Sequence, residues 1–206
     1  LEEGFMFDGS SIEGWKSIEA SDMKLMPDVD SAYLDPFYAE KTLCIHCSVV
    51  EPDTGEAYER DPRTTAKKAE AYVQSSGIGD TITVGPEAEF FIFDDIRYDS
   101  QRNSCFYAVD SVEGIWNTGR CEEPNLGYKP RHKEGYFPLP PTDKFQDLRT
   151  EILLTLEDLG IDVECQHHEV ATAGQAEIDM RFKPLLQMSD QLMWFKYVLK
   201  NVAYRH

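Results

Sequence analysis

The sequence predicts an α+β fold, and three observations carry that expectation. Loop and strand patterns fill the first part of the chain and change to helix at Asp61-Pro62-Arg63. An apparent antiparallel hairpin lies at residues 166–179, and Leu192, Phe195, Val198, Leu199, Val202 and Ala203 recur at helical spacing near the end. A division into residues 1–60 and 61–206 follows from the first of these.

Residues 4–15 combine three glycines, two serines and Asp8 between apolar side chains, which predicts an ordered loop with a turn at Asp8-Gly9. Residues 22–35 also read as loop, punctuated by Pro27 and Pro36. Residues 42–50 read as one strand containing Cys44-Ile45-His46-Cys47. Residues three apart on a strand face opposite ways, so these two thiols should not share a metal and are expected to be buried structural cysteines. Asp61 then caps a helix with Pro62 in the first position, where its missing N–H does no harm. That helix should run to Ser76 and stop at Gly77.

A strand over residues 87–93 would place Ala88, Phe90 and Ile92 on one face and Glu87 and Glu89 beside Phe91 and Phe93 on the other. Carboxylates on a partly buried aromatic face need a counterion. Residues 97–141 look irregular and too long for a passive connector, so part of them should line a site or a subunit contact. Their distinctive patches are residues 110–117 and 135–141. Thr142 or Asp143 caps a second helix with Leu148, Ile152, Leu156 and Leu159 on its apolar face, and Gly160 ends it. A strand over residues 161–166 puts Asp162, Glu164 and Gln166 on one face, leaving Glu164 to look either into a cavity or into solvent. It leads into the hairpin, whose midpoint near Ala173 would set Glu169 against Glu177. Opposed residues have Cβ atoms only about 5 Å apart, so two ionised carboxylates there would repel unless a cation lies between them.

The formal net charge of −18 opposes binding to nucleic acid or an anionic membrane. No apolar run approaches the roughly 18 residues of a membrane-spanning helix. Nothing at the start resembles a signal peptide. Five cysteines at irregular spacing fit a reducing cytoplasm better than a disulfide scaffold. The opening at Leu1 and the stop at Arg205-His206 without a Gly or Pro signal are expected of an internal piece of a longer protein. Glu87, Glu89, Glu169 and Glu177, with His167 and His168 beside them, form a carboxylate-rich set of the kind that suits Mg²⁺ or Mn²⁺ and, through them, phosphate oxygens. Without a Walker loop or GxGxxG, phosphate binding would depend on metals and on basic residues not concentrated here.

These residues resemble the bacterial type I glutamine synthetases through nearly the whole chain. The resemblance rests on Phe7-Asp8-Gly9-Ser10-Ser11-Ile12, Gly85-Pro86-Glu87-Ala88-Glu89-Phe90-Phe91, residues 110–117, Gly135-Tyr136-Phe137-Pro138-Leu139-Pro140-Pro141, and residues 167–177, in family order. It implies that residues 1–60 are the later part of a β-grasp-like N-terminal domain. Residues 61–206 would be the first half of a catalytic α/β domain with an antiparallel sheet. In the family, ATP phosphorylates the side-chain carboxylate of L-glutamate and ammonia displaces the phosphate, with two divalent metals, Mg²⁺ or Mn²⁺, at each site.

Carried over, Glu89, Glu169 and Glu177 resemble the ligands of one metal, and Glu87 resembles a ligand of the second, which bridges ATP phosphates. Glu164 matches a position that contacts ATP. Asp8 matches the aspartate that binds ammonium and helps deprotonate it, supplied by a neighbouring subunit. His167 and His168 then become neighbours that shape the site. The resemblance also implies a cytoplasmic homo-oligomer, a dodecamer, with active sites between subunits. One histidine and one glutamate ligand, the phosphate-binding arginines, the flap glutamate and the regulatory tyrosine would lie beyond His206, so this chain alone is expected to be inactive. Ala176 stands where some relatives carry Asn. A non-catalytic relative kept for assembly would not need buried like charges, and a glycosidase would not need four converging carboxylates.

Overall fold

The computed structural model describes residues 1–117 and 126–206. Its elements are β1 (Phe5–Asp8), β2 (Asp22–Pro27), β3 (Tyr33–Leu34), β4 (Leu43–Cys44), β5 (Cys47–Val50), α1 (Pro62–Ser76), β6 (Thr83–Val84), β7 (Glu89–Phe91), β8 (Asp95–Ser100), β9 (Cys105–Asp110), α2 (Gln146–Asp158), β10 (Val163–His168), β11 (Gln175–Met180), β12 (Lys183–Pro184) and α3 (Leu185–Arg205). The fold is α+β with antiparallel sheets. It divides into two compact units, Leu1–Val84 with Phe182–Phe195, and Gly85–Arg181 with Lys196–His206. Among the described residues no helix is long and apolar enough to cross a membrane.

In the first unit β1, β2 and β5 form one antiparallel sheet in the order β1-β2-β5, and β3 pairs with β4. Met23, Val49 and Tyr58 are buried together, with Phe7, Trp15 and Leu25 packed against them. Three expectations are corrected here, the first being that residues 22–35, read as loop, contain β2 and β3. The loop expected at residues 4–15 contains a strand, β1, whose Phe5 and Met6 are more than half exposed, so no apolar alternation announces it. The strand expected over residues 42–50 is broken in two. His46 is the break: its N–H donates to the Ser31 side chain, Oγ at 2.9 Å, instead of to a strand, while its carbonyl accepts from Asp28 N at 2.9 Å in the register of β2 and β5. Cys44 and Cys47 are accordingly only half-buried.

Helix α1 begins and ends where its caps require. The Asp61 carboxylate accepts from the N–H groups of Arg63 and Thr64 at 3.1 and 3.2 Å, and Gly77 closes the helix at φ +71°. Arg63 reaches back from the first turn to Asp28 and to Asp190, with Nε and Nη2 at 3.0 and 2.9 Å from the Asp190 oxygens. This bond from Arg63 holds the Asp28 carboxyl below the usual aspartate range.

In the second unit the sheet order is β10-β11-β7, which leaves β7 as an outer strand among the described residues. Helix α2 packs over β10 and β11 with Leu148, Ile152 and Leu156 buried, the apolar face the heptad-like spacing predicts. It starts at Gln146, later than expected, because Asp143 is engaged otherwise. Its carboxylate forms a buried two-point pair with Arg149, Oδ1 to Nη1 at 3.0 Å and Oδ2 to Nη2 at 2.5 Å. Arg149 Nε also donates to Gln166 Oε1 at 2.6 Å, which ties α2 to β10. The segment expected to be irregular contains the hairpin β8–β9. Ile96, Tyr98, Phe106 and Tyr107 are all 55–80 % exposed, so neither face carries the buried alternation that reveals a strand.

Candidate metal centre

The β10–β11 ladder pairs His167 with Glu177 and His168 with Ala176, and β7 completes the row by pairing Glu89 with Glu177. Glu177 is thus flanked by His167 and Glu89, and the direct opposition to Glu169 expected from sequence does not form. Gly174 is the reason. At φ +75° its carbonyl accepts from Ile92 N at 2.9 Å, and a Cβ there would overlap the Ile92 carbonyl, so this residue is committed to the β7 side. Gln175 closes the turn instead: its N–H donates to Thr172 O at 3.2 Å and its carbonyl accepts from Glu169 N at 2.9 Å.

The offset still gathers the acids. Glu87, Glu89, Glu169, Glu177 and Asp179 line one cavity of about 420 Å³ with Tyr136, Val170 and His167. Glu169 and Glu177 are buried, 8 % and 9 % exposed, whereas Glu89 on β7 and Glu87 just before it are exposed; the strand expected over residues 87–93 forms only over Glu89–Phe91. The tightest grouping includes a residue given only a shaping role by the resemblance. His167 lies 3.6 Å from Glu169 Oε2 through Nδ1 and 3.6 Å from Glu177 Oε2 through Nε2, and donor atoms of the three lie within 4.8 Å of one another. The Glu89 carboxylate is held at the edge by Gln175 Nε2 at 2.5 Å. Burial, then the charges of Asp179, Glu169 and Glu89, push Glu177 up to about 7, with His167 only partly offsetting them. An oxygen-rich donor set with excess negative charge fits a hard divalent cation, and the residues present therefore suit Mg²⁺ or Mn²⁺.

Two other expected site residues do not line this cavity. Glu164 is exposed and lines a separate cavity of about 320 Å³ with Gly160, Asp162 and Arg181. Asp8 belongs to the first unit, where it caps the turn Gly9–Ser11 by accepting from Ser10 N at 2.9 Å and Ser10 Oγ at 2.6 Å. Those bonds hold its carboxyl below the usual range, so it remains ionised.

Glu113 is the residue that sequence reasoning missed. It is fully buried and accepts from three N–H groups: His168 Nε2 at 3.0 Å, Gly174 N at 2.8 Å and Lys144 N at 2.7 Å. His168 Nδ1 faces two carbonyl oxygens, Gly135 at 2.7 Å and Glu169 at 2.8 Å, so it must donate as well. Burial alone would lower the His168 pKa, but the bond and charge of Glu113, helped by the two carbonyls, raise it. A buried imidazolium–carboxylate pair thus braces the turn. Lys133 N, Gly135 N and Phe137 N also donate to the carbonyls of Ala171, Val170 and His168, and Tyr136 packs edge-on against His167. Residues 110–117 and 135–141 were distinctive in sequence, but nothing there joined Glu113 to a histidine 55 positions away. The part of the first patch's surroundings at residues 118–125 lies outside the described residues.

Two family models match the chain. "Glutamine synthetase, beta-Grasp domain" covers residues 1–52 and "Glutamine synthetase, catalytic domain" covers residues 59–206. A glutamine synthetase of Microchaete diplosiphon is 59% identical over 204 residues, spanning 99% of this chain and 43% of that protein. One of Escherichia coli K12 is 52% identical over 206 residues, 100% of this chain and 44% of that protein. Among solved structures, a glutamine synthetase of Plasmodium falciparum superposes with TM-score 0.89 at 31% identity, over 98% of this chain and 40% of that one. The chain spans less than half the length of the curated relatives it matches.

Proposed function

The chain belongs to the glutamine synthetase family, and on that premise we propose that it carries the carboxylate half of an active site that joins ammonia to L-glutamate using ATP. The observation that carries this reading is the cavity of five acids, two of them buried, in which burial and the acidic neighbours push Glu177 up to about 7. Within it, Glu89, Glu169 and Glu177 would hold one Mg²⁺ or Mn²⁺, with His167 close enough to join them, and Glu87 would serve a second. When bound, the two metals neutralise charge on the ATP phosphates and on the accepting carboxylate.

Transfer of the γ-phosphoryl group to the glutamate side chain gives γ-glutamyl phosphate, and ammonia then attacks the acyl carbon and releases phosphate. Glu164 contacts ATP in this proposal; Arg181, in the same cavity, is a cation of the type that pairs with phosphate. Asp8 serves the ammonium ion of a neighbouring subunit. Its lowered pKa makes it foremost a fixed negative charge that draws the cation in, and a weaker base for the proton. Residues 1–60 as the later part of a β-grasp-like domain and residues 61–206 as the first half of the catalytic domain complete the proposal, supported by family models that end at residue 52 and begin at residue 59. A cytoplasmic homo-oligomer, a dodecamer, supplies the subunit contact.

The test is glutamate-dependent phosphate release from ATP by the full-length protein, with ammonium and Mg²⁺ or Mn²⁺. Glu169→Ala and Asp8→Ala should each abolish most of it, and undiminished turnover in both would sink the assignment.

A further inference from the structure

The same face of the sheet carries a second group of donors, of which the proposed chemistry draws on His167 alone. Cys165 stands opposite Asp179 in the β10–β11 ladder, and His167 follows two residues along β10 on the same face. Cys165 Sγ lies 3.0 Å from Asp179 Oδ2. A sulfur, an imidazole nitrogen and a carboxylate oxygen from Cys165, His167 and Asp179 all lie within 4.8 Å of one another. The other oxygen of that carboxylate, Asp179 Oδ1, is buried without a hydrogen-bond partner, a condition that a bound cation would relieve. Cys165 itself is exposed, so an ion can reach it from solvent.

We propose that Cys165, His167 and Asp179 form a metal site selective for a thiophilic divalent ion, Zn²⁺, next to the oxygen-rich cavity and sharing His167 with it. Three protein ligands with one open position are the coordination that Zn²⁺ takes when water or a further group completes it, and sulfur discriminates Zn²⁺ from Mg²⁺ and Mn²⁺. As the metal–sulfur bond forms, the Cys165 thiol proton leaves to solvent. Because the sulfur binds as a thiolate, binding should release a proton and strengthen with pH. One consequence rests on the reading of the neighbouring cavity as a Mg²⁺ or Mn²⁺ site. Zn²⁺ would draw His167 away from Glu169 and Glu177 and so antagonise Mn²⁺.

The experiment is a Co²⁺ titration of the full-length protein, Co²⁺ standing in for Zn²⁺. Expected is a near-ultraviolet thiolate-to-cobalt charge-transfer band that Zn²⁺ displaces and Mg²⁺ does not. Cys165→Ser, a near-isosteric change at an exposed position, should remove that band and weaken Co²⁺ binding roughly tenfold or more, since even outer-shell partners are worth 10–100-fold. Absence of the band in the wild-type protein, or its persistence undiminished in Cys165→Ser, would overturn the site. Mn²⁺ affinity, measured in parallel, addresses the carboxylate cavity separately: its absence alongside an intact cobalt band would count against that cavity and leave the thiolate site standing.

Discussion

His168 and Glu169 are neighbours in sequence, yet they lead into buried clusters of opposite character. Around His168 every facing group is an acceptor, and around Glu113 every facing group is a donor, so the charges cancel within the protein. Around Glu169 and Glu177 the cavity adds Glu87, Glu89 and Asp179, and His167 is the one imidazole among the described residues lining it. The first cluster is complete as folded. The second has more negative charge than its own residues can neutralise, and its acid stays partly protonated as a result. Burial of ionisable groups is therefore a poor indicator of a site by itself; what separates a brace from a binding site is whether the charges balance.

The largest expected effect comes from unbalancing the complete cluster. Glu113→Ala leaves His168 buried without its carboxylate, and removing one partner of a buried pair costs about 3–5 kcal/mol. Denaturant unfolding should show a loss of that order; a loss under about 1 kcal/mol would make the brace dispensable and dissolve the contrast. Next comes the unbalanced cluster. Glu177→Gln keeps the shape and removes a charge, so stability without metal should hold or rise. The stabilisation conferred by Mn²⁺, about 2.7 kcal/mol at a hundredfold excess over Kd, should largely vanish. Thermal shifts with Mn²⁺ that match the wild type would show that the cavity does not depend on this acid.

The smallest effect lies in the first unit, where Arg63 is shared by Asp28 and Asp190. Asp28 has a folded pKa below its unfolded one, through its bond to Arg63. Its contribution is complete above the ordinary aspartate value of about 3.9 and is lost as pH falls through the lower folded value. Because Asp28 is partly exposed, the effect should be about 1 kcal/mol or less. The stability gap between wild type and Asp28→Asn, followed by unfolding across pH, should be widest near neutrality and close in acid. A gap independent of pH would take the charge out of the explanation.

Local chemistry was legible in the sequence and long-range pairing was not. The caps of α1 work because Asp61, Pro62 and Gly77 act within a few residues of themselves, and the buried face of α2 follows from spacing alone. Asp143 looked like a cap for the same reason, but a buried arginine six residues onward claimed it. The hairpin was legible as a hairpin, while its register depended on Ile92, far away in sequence, taking the Gly174 carbonyl. The four glutamates of the cavity could be named because their residue types are unusual beside aromatics and glycine. Glu113 could not, since its meaning comes from what the fold brings to it. The hairpin β8–β9 was invisible because neither of its faces is buried.

Strand β7 has a consequence for solubility. An outer strand is where another chain can add to a sheet, and β7, outer among the described residues, carries Phe90-Phe91 and leads into Ile92-Phe93, with Phe91 44% exposed and stacked on Phe93 at 5.7 Å. Glu87 and Glu89 precede that apolar run and Asp94 and Asp95 follow it, so like charges at both ends keep copies of the chain from zipping together along it. The acids that invite a cation are thus also gatekeepers against aggregation. A metal that neutralises the leading pair leaves colloidal protection of this edge to the two aspartates behind it.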